Sequence, residues 1–490
     1  MAERVAVVGA GIAGLGAAMA LARAGREIVV IDRDPPAPEN VEVAFDTWER
    51  KGVTQLRHSH VFLGKLVSLI RDRHPRLHNM LRETGAREFD FEAGLPLALR
   101  DEYTADPADR DLSFLFSRRT TLEHTMRAYV LSLPGVRFIT DAGVRTLTLD
   151  KTGATPKVTG LTIEREGVEP EEFKADLIVD ASGRTTVLVD WLREHGITID
   201  EESKPAGILY FTRHYKLLPG QEEPPRDLIP GAGDLGYIKY GVFIGDNRHF
   251  SITICVPEIE TKLRVAAMDP DTFDRICRQM PGAARWIEPT RAEGVTKVFG
   301  MGNLHNVWRH FVKDGAPVVL NYFAVGDSAL RTNPLYGRGC SSAVIQAHAL
   351  ADVLAETADP AARAVAFSQR TRTSLRPFWD VIVKQDLGAI RRAKNEQTPG
   401  YKPRFKARLI KSFAEDAVGP ASRGSLAVHR AIMKGFHMFS TPAAWLRRPS
   451  IVLRVLITWA MPKRFKTALY PPKLGPERSE MLSQLGLEGA

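Results

Sequence analysis

Apolar residues recur along this chain in two rhythms, and its opening segment shows both. Residues 4–9 are a short unbroken apolar run, the pattern of a strand buried on both faces. Residues 12–24 are Ala-rich and helical in type, and Gly25 stands where such a helix would stop. Residues 27–32 form a second apolar run, ended by Asp34-Pro35-Pro36. Strand, helix and strand within about 30 residues predict a parallel βαβ unit.

Farther along, residues 60–73 and 119–133 carry the spacing of amphipathic helices, with a loop-rich excursion over 94–110 between them. Residues 136–140, 144–149, 157–164 and 173–179 alternate or run apolar, and read as strands leading to Asp180-Ala181-Ser182-Gly183-Arg184. Residues 207–217 and 235–257 are strand-like and rich in aromatics, separated by a Pro/Gly-rich loop over 219–233. Residues 318–325 read as another buried strand, and 337–355 and 361–393 as helices. No internal repeat interrupts this series.

A chain of 490 residues exceeds one small core and predicts two to four domains. Cys255, Cys277 and Cys340 are widely spaced with no CxxC pair, which disfavours a disulfide framework or a zinc site and fits a reducing cytoplasm. His58 and His60 lie two apart with no third ligand at sensible spacing, so no metal is expected. No leader-type segment is evident, and no apolar run of 18 residues predicts a spanning helix.

Charge changes the picture in one region. The segment 401–472 holds 14 Lys or Arg against only Glu415 and Asp416, a net of +12, so the rest of the chain nets −3 within an overall +9. It also carries Phe436, Phe439, Trp445, Leu446 and an apolar run over 451–461 interrupted by Arg454. Basic, amphipathic, Trp-bearing segments suit a surface-lying membrane attachment, here at the inner face. A helical cap with a solvated basic face reads equally well. No nucleic-acid-reading motif accompanies the charge, so nucleic acid is not an expected partner.

Candidate chemistry lies in two glycine clusters. In the first, Gly9 permits the tight turn out of the strand, Gly11 lets backbone approach a pyrophosphate, and Gly14 permits close helix packing. The following helix would offer free N–H groups and a favourable dipole to that anion. Asp32 ends the second strand, where a carboxylate accepts from an adenosine ribose, and Arg33 adjoins it. The second cluster comes only at Gly326-Asp327-Ser328, followed by Pro334-Leu335-Tyr336-Gly337-Arg338-Gly339. An NAD dehydrogenase would have completed its nucleotide domain well before that point. The long interruption predicts one FAD held from both ends. Asp327 would bond a ribityl hydroxyl, and the helix opened by Gly337 and Gly339 would face the flavin N1/C2=O edge, which becomes anionic on reduction.

These motifs resemble the flavoprotein monooxygenases with the p-hydroxybenzoate hydroxylase fold, whose signature reads GDAAHxxxPxxGxGxN. Here it stands as Gly326-Asp327-Ser328-Ala329-Leu330, then Pro334, Gly337, Gly339 and Ser341. Within that superfamily the chain most resembles a bacterial group related to squalene epoxidase and polyether epoxidases. Residues 52–63, the Asp180–Arg184 segment with Trp191-Leu192, and Tyr210-Phe211-Thr212-Arg213 carry that match. The likeness spans roughly residues 4–355. It implies an α/β fold: a Rossmann-type FAD-binding domain over 1–185 and 300–360, an inserted antiparallel β-sheet substrate domain over 186–299, and a C-terminal helical basic region over 361–490.

The resemblance also implies roles. Gly9, Gly11, Gly14, Asp32 and Arg33 hold the ADP half. Arg119 begins a helix and contacts FAD. Arg57 and His58 run beside the flavin, with Asp180 and Gly183 in the middle turn, although Asp180 also reads as a simple turn cap. Asp327 and Gly326 meet the ribityl chain, and Pro334, Gly337 and Gly339 line the isoalloxazine. Cys340 stands where the pattern has Met, a packing position beside it. Tyr210, Tyr237, Tyr240, Phe243 and Tyr336 are expected to line an apolar substrate pocket; ordinary sheet core is the competing reading for each.

The implied reaction is epoxidation or hydroxylation of a hydrophobic, isoprenoid- or polyketide-like substrate with O2, through a flavin C4a-hydroperoxide. No catalytic side chain is assigned. Three departures stand out. Residues 182–189 lack the acid and last Arg of the middle motif DGxxSxxR that helps admit NADPH, and Leu330 and Ser341 replace the usual His and Asn. Electrons therefore come from NADPH or NADH directly, or through a separate flavin reductase. The rival expectations are an FAD-dependent reductase of the geranylgeranyl reductase type and a flavin-binding protein without turnover. A halogenase is disfavoured because no WxWxIP occurs among the seven tryptophans.

Overall fold

The computed structural model describes residues 2–22 and 25–487. Among them, five strands form a wholly parallel sheet in the order Tyr322–Ala324, Leu177–Asp180, Arg4–Val8, Glu27–Ile31, Val136–Ile139. Alternation explains the apolar runs. Val5, Val7, Ile28 and Val30 point into one core with Leu15, Met19 and Val344, while Ala6, Val29, Ile31 and Ile178 point into another with Leu147, Leu161 and Tyr322. Both faces of the central strands are covered, so their interior positions are apolar.

The opening βαβ unit has the expected form, with the helix at Ile12–Ala22; residues 23 and 24 of the expected span lie outside the described residues. Three expectations shift. The helix placed at 60–73 begins only at Gly64, because residues 57–63 are a strap that leaves a turn at 57–58 and is pinned by paired backbone hydrogen bonds between Phe62 and Leu115. The strand placed at 173–179 is two strands in two sheets, Val168–Lys174 in a three-stranded antiparallel meander and Leu177–Asp180 in the parallel sheet. The stretch 235–257 folds back as Lys239–Ile244 and His249–Pro257, turning where Asn247 and Arg248 take positive φ.

A mainly antiparallel sheet built on His249–Pro257, Ile208–Leu217 and Lys239–Ile244 forms the second layer. Its two faces differ by the period of two. Phe211, Tyr215, Tyr240, Phe250, Ile252 and Ile254 pack into a core with Phe273, Ile276 and Met481. The opposite face presents Tyr210, Thr212, His214, Phe243, Ser251 and Thr253.

The helix Pro360–Glu396 ties the layers together. It is about 55 Å long at 1.5 Å per residue. Its N-cap Asp359 accepts from the Ala362 N–H at 2.7 Å. Phe367 packs edge-on against Phe323 of the parallel sheet, Trp379 against Trp308, and Ile390 against Gly207 beside the antiparallel sheet. The C-terminal residues return to both halves. The Gly64 N–H donates to His437 Nδ1 at 2.8 Å, and Tyr237 donates to the Pro476 carbonyl at 3.0 Å.

Candidate active site

The site starts from three turns that meet. Gly9 leaves its strand at φ +99°, and a Cβ there would fall 2.6 Å from the Ala181 carbonyl oxygen. A Cβ on Gly14 would lie 1.8 Å from the Gly9 carbonyl oxygen, so that turn closes only with glycine. Gly326, at φ +67°, would place a Cβ 2.7 Å from that of Ala13. The turns near residues 9, 181 and 326, remote in sequence, thus pack at one point.

The two helices behind these turns lie side by side and parallel. A Cβ on Gly326 would meet Ala13 and Ala343, and one on Gly16 would meet Val344 and Ala347. Their N-termini open on the same side, and the free N–H groups and dipoles favour anionic groups there. Gly11 and Gly339 line that space differently from Gly14. A Cβ on Gly11 would meet only a Val53 methyl at 3.7 Å, and one on Gly339 would meet nothing within 4 Å. These are cradles a dinucleotide can enter.

Asp327 fits the same ligand. It is half-buried and has no hydrogen-bond or ion-pair partner among the described residues. Burial pushes its carboxyl pKa up, against the pull of Arg331 and Arg119. A carboxylate left in this state calls for donors, which ribityl hydroxyls would provide. Pro334 is exposed and Gly337, at φ +65°, ends the short turn Pro334–Tyr336 beside Val61 of the strap.

Other expected ligands have different places. Asp180 is fully buried and accepts from Ser182 N–H, Ser182 Oγ, Ser328 Oγ, Thr186 Oγ1 and Tyr322 Oη, between 2.6 and 3.0 Å. Both oxygens are filled, so it locks the middle turn to the Gly326 turn and does not face a cofactor. Gly183 donates its N–H to Ser328 Oγ at 2.9 Å in the same knot. Arg57 donates to the carbonyls of Phe45 and Asp46 at 3.1 and 3.2 Å, which secures the end of the helix Val41–Thr47. Arg33 is exposed and donates to the Lys51 carbonyl at 3.2 Å.

Asp32 is buried, and its Oδ2 receives Arg50 at 2.9 Å and Arg127 at 3.4 Å; Oδ1 has only the Asp34 N–H at 3.4 Å. Arg50 also binds Asp34 and Glu123, and Glu123 in turn holds Arg119. Local sequence had no signal for Arg50; only the Arg119/Glu123 spacing of four on one helix could have hinted at this network.

The strap joins both halves of the site. His58 Nδ1 lies 3.0 Å from Thr212 Oγ1 on the antiparallel sheet. His60 Nε2 lies 3.4 Å from an Arg119 nitrogen, and Arg119 donates to Cys340 Sγ at 3.3 Å. A hydroxyl chain continues from Thr212 through Thr253 and Ser59 to Ser251, each step 2.7 Å. Burial holds His58 down to about 4, and His60 and His214 to about 3, so all three rings are neutral at pH 7. Phe243 lines a narrow cleft with His58, Ser59, His60, Arg118 and Ser251.

Among the expected substrate residues, Tyr210 donates to Asn333 Oδ1, and Tyr336 to Asp386 Oδ1 at 3.1 Å. Asp386, buried on the long helix, also accepts from Asn306 at 2.7 Å and Asn333 at 2.9 Å. Burial raises its pKa against these donors. Tyr237 and Tyr240 do not reach this face. Both pack into the core beneath the sheet, Tyr240 by the alternation of its strand and Tyr237 from the turn that precedes it. Thr212, Ser251 and Thr253 were the readable signal for the face that meets the strap: small polar residues at every second position of apolar strands.

Among the described residues no group of three His, Cys, Asp or Glu is arranged to hold a metal ion, and no helix is long and apolar enough to cross a membrane. Solved structures similar in fold include the flavin-dependent brominase Bmp2, at 14% identity and TM-score 0.59 over 93% of this chain and 100% of that one. p-Nitrophenol 4-monooxygenase PnpA from Pseudomonas putida matches at 16% identity and TM-score 0.57 over 89% and 98%. PqsL of Pseudomonas aeruginosa, described as a probable FAD-dependent monooxygenase, matches at 15% and 0.54 over 80% and 98%. No curated protein matches the sequence. Residues 4–357 match the sequence model of the FAD dependent oxidoreductases, the span that contains all three converging turns, and the chain belongs to that family.

Proposed function

We propose that this protein is a flavin monooxygenase that places one oxygen atom of O2 on an apolar, isoprenoid- or polyketide-like substrate by epoxidation or hydroxylation. The observation that carries the reading is the line of contacts from Thr212 through His58, His60 and Arg119 to Cys340. It lays the Thr212, Ser251 and Phe243 face of the antiparallel sheet against the turn suited to an isoalloxazine. The epoxidase-like segments over 52–63 and 180–184 and the monooxygenase neighbours PnpA and PqsL support it.

Gly9, Gly11 and Gly14 would hold the pyrophosphate, Asp32 and Arg33 would flank the adenosine end, Asp327 would take the ribityl chain, and Pro334, Gly337 and Gly339 would line the ring. Bound and reduced there, FAD supplies the activation of O2. The remaining work belongs to this chain. Phe243 and the Tyr210 face orient an apolar ligand. The strap covers the cleft and limits water. Neutral His58, His60 and His214 add no charge that an apolar substrate would have to displace. The hydroxyl chain ending at His58 Nδ1 gives a path for a proton between sheet and strap. One oxygen goes to substrate and the other leaves as water, with two electrons from NADPH or NADH, directly or through a separate flavin reductase.

An anaerobic titration of the FAD-loaded protein with NADPH and then NADH, followed by O2 uptake with isoprenoid alkenes, tests the reading. Substrate-dependent O2 consumption with an oxygenated product is expected. Reduction of an alkene without O2 uptake would instead mark a reductase of the geranylgeranyl type. A protein that cannot be reconstituted with FAD would sink both.

A further inference from the structure

Half of the exposed large apolar residues among the described ones lie between 401 and 465, under one-seventh of the chain. They are not scattered. The helix Pro449–Ala460 buries Ile451 and Val455 against Ala417, Ala421 and Val428. Its opposite side presents Leu453, Leu456 and Ile457 to solvent at helical spacing, with exposures of 58, 44 and 55%. A helix apolar on both sides needs a second apolar neighbour, and the fold supplies only one. The helix Phe405–Ser412 buries no residue at all, leaving Phe405, Leu409 and Ile410 open. Trp459 Nε1 donates to Ser412 Oγ at 3.1 Å and Phe413 packs edge-on against Trp459, so the two helices belong to one small body. Phe465 is exposed beside them.

We infer that this body docks on the surface of a bilayer containing anionic phospholipid. Charge chooses the occupant. The apolar side chains share the surface with Lys406, Arg408, Lys411, Arg454 and Arg464, in the segment that nets +12. Apolar side chains rimmed by Lys and Arg match an acyl boundary below anionic headgroups. A second copy of the same surface would bring like charges together. The anchoring helices lie along the membrane and do not cross it. The inference rests on the C-terminal surface alone and holds whatever the flavin chemistry.

Flotation of the full FAD-loaded chain with vesicles tests it without turnover. Vesicles of phosphatidylglycerol and phosphatidylcholine in equal parts should carry the protein, and vesicles of phosphatidylcholine alone should carry far less. Leu456→Glu with Ile457→Glu should weaken binding by more than roughly ten-fold. Arg454→Glu with Arg464→Glu should weaken binding to the anionic vesicles and reduce its salt dependence. All four positions are exposed, so an unchanged thermal melt shows that the variants fold. Val168→Glu, exposed on a distant strand, should change nothing. No flotation, or flotation that survives both pairs, overturns the inference. A concentration-dependent dimer that Leu456→Glu abolishes, with no vesicle binding, would assign the surface to a second copy instead.

Discussion

Gly326 and Ala13 touch: a Cβ on Gly326 would stand 2.7 Å from that of Ala13, although 313 positions separate them in the chain. Gly326 also holds φ +67° and donates its N–H to Gln346 Oε1 at 2.8 Å. Gly326→Ala should destabilise the protein by about 1–3 kcal/mol through overpacking and positive φ and should lower FAD retention. Adding Ala13→Gly should recover the part due to the contact but not the part due to φ. Thermal melts of the single and double variants check this; no recovery would show that the contact is not the cause.

Asp327 separates cofactor binding from folding, because its carboxylate has no hydrogen-bond or ion-pair partner among the described residues. Asp327→Ala should leave the thermal stability of the FAD-free protein unchanged or raised, since burial already disfavours the charge. Loss of a charge-assisted hydrogen bond of about 1.5–3 kcal/mol should weaken FAD binding by roughly ten- to hundred-fold. Fluorescence titration with FAD measures it. Unchanged affinity would move the ribityl contact elsewhere.

Arg338 lies between Gly337 and Gly339, is only 7% exposed, and leaves Nε and an Nη without a hydrogen bond. It stacks near Phe378 at 5.0 Å, and burial pulls its pKa down to about 10, with no carboxylate paired to it among the described residues. A buried cation with no acid partner opposes folding but favours an anion on the adjoining turn. Arg338→Met should therefore raise the melting temperature of the FAD-free protein and lower the two-electron potential of the bound flavin. About 30 mV corresponds to 1.4 kcal/mol. A potential unchanged on spectroelectrochemical titration would place the charge away from the ring.

Acid should first loosen the contact between strap and sheet, where His58 meets Thr212 and His214 meets the Arg57 carbonyl. His58 and His214 are neutral in the fold, held down to about 4 and about 3, while unfolded histidine titrates at its ordinary 6.5. The folded state binds fewer protons below 6.5, so the stability they confer is complete above that pH and is lost as pH falls through the window from 6.5 toward 4. Each should cost about 2 kcal/mol at pH 5 relative to pH 7. His214→Gln should flatten this acid limb in melts between pH 7 and 5. An unchanged slope would mean that other groups govern the acid loss.

The legible part of the molecule was local. Continuous apolar runs such as 4–9 and 27–32 announced strands buried on both sides, because a parallel sheet leaves no face for polar residues. Gly9, Gly14 and Gly326 were readable because each position forbids a Cβ, by positive φ or by a carbonyl or methyl at close range. The basic, apolar character of 401–472 was likewise present in composition alone. Alternation in the strands at 208–217 and 249–257 held the site face, but aromatic size drew attention to Tyr237 and Tyr240, which fill the core behind the sheet.

What only tertiary structure decided was which polar groups meet. Asp180 lay at the end of a strand, where a ligand contact and a structural knot look alike in sequence; the donors from Ser328 and Tyr322, about 140 positions away, settled it as a knot. Arg50 and Asp386 had no neighbours in sequence to mark them, because a buried charge finds its partner through space and periodicity carries no trace of that pairing. The strap at 57–63 was hidden for the same reason: its backbone hydrogen bonds at Phe62 go to Leu115, and a helix-like pattern cannot report a partner 53 residues away.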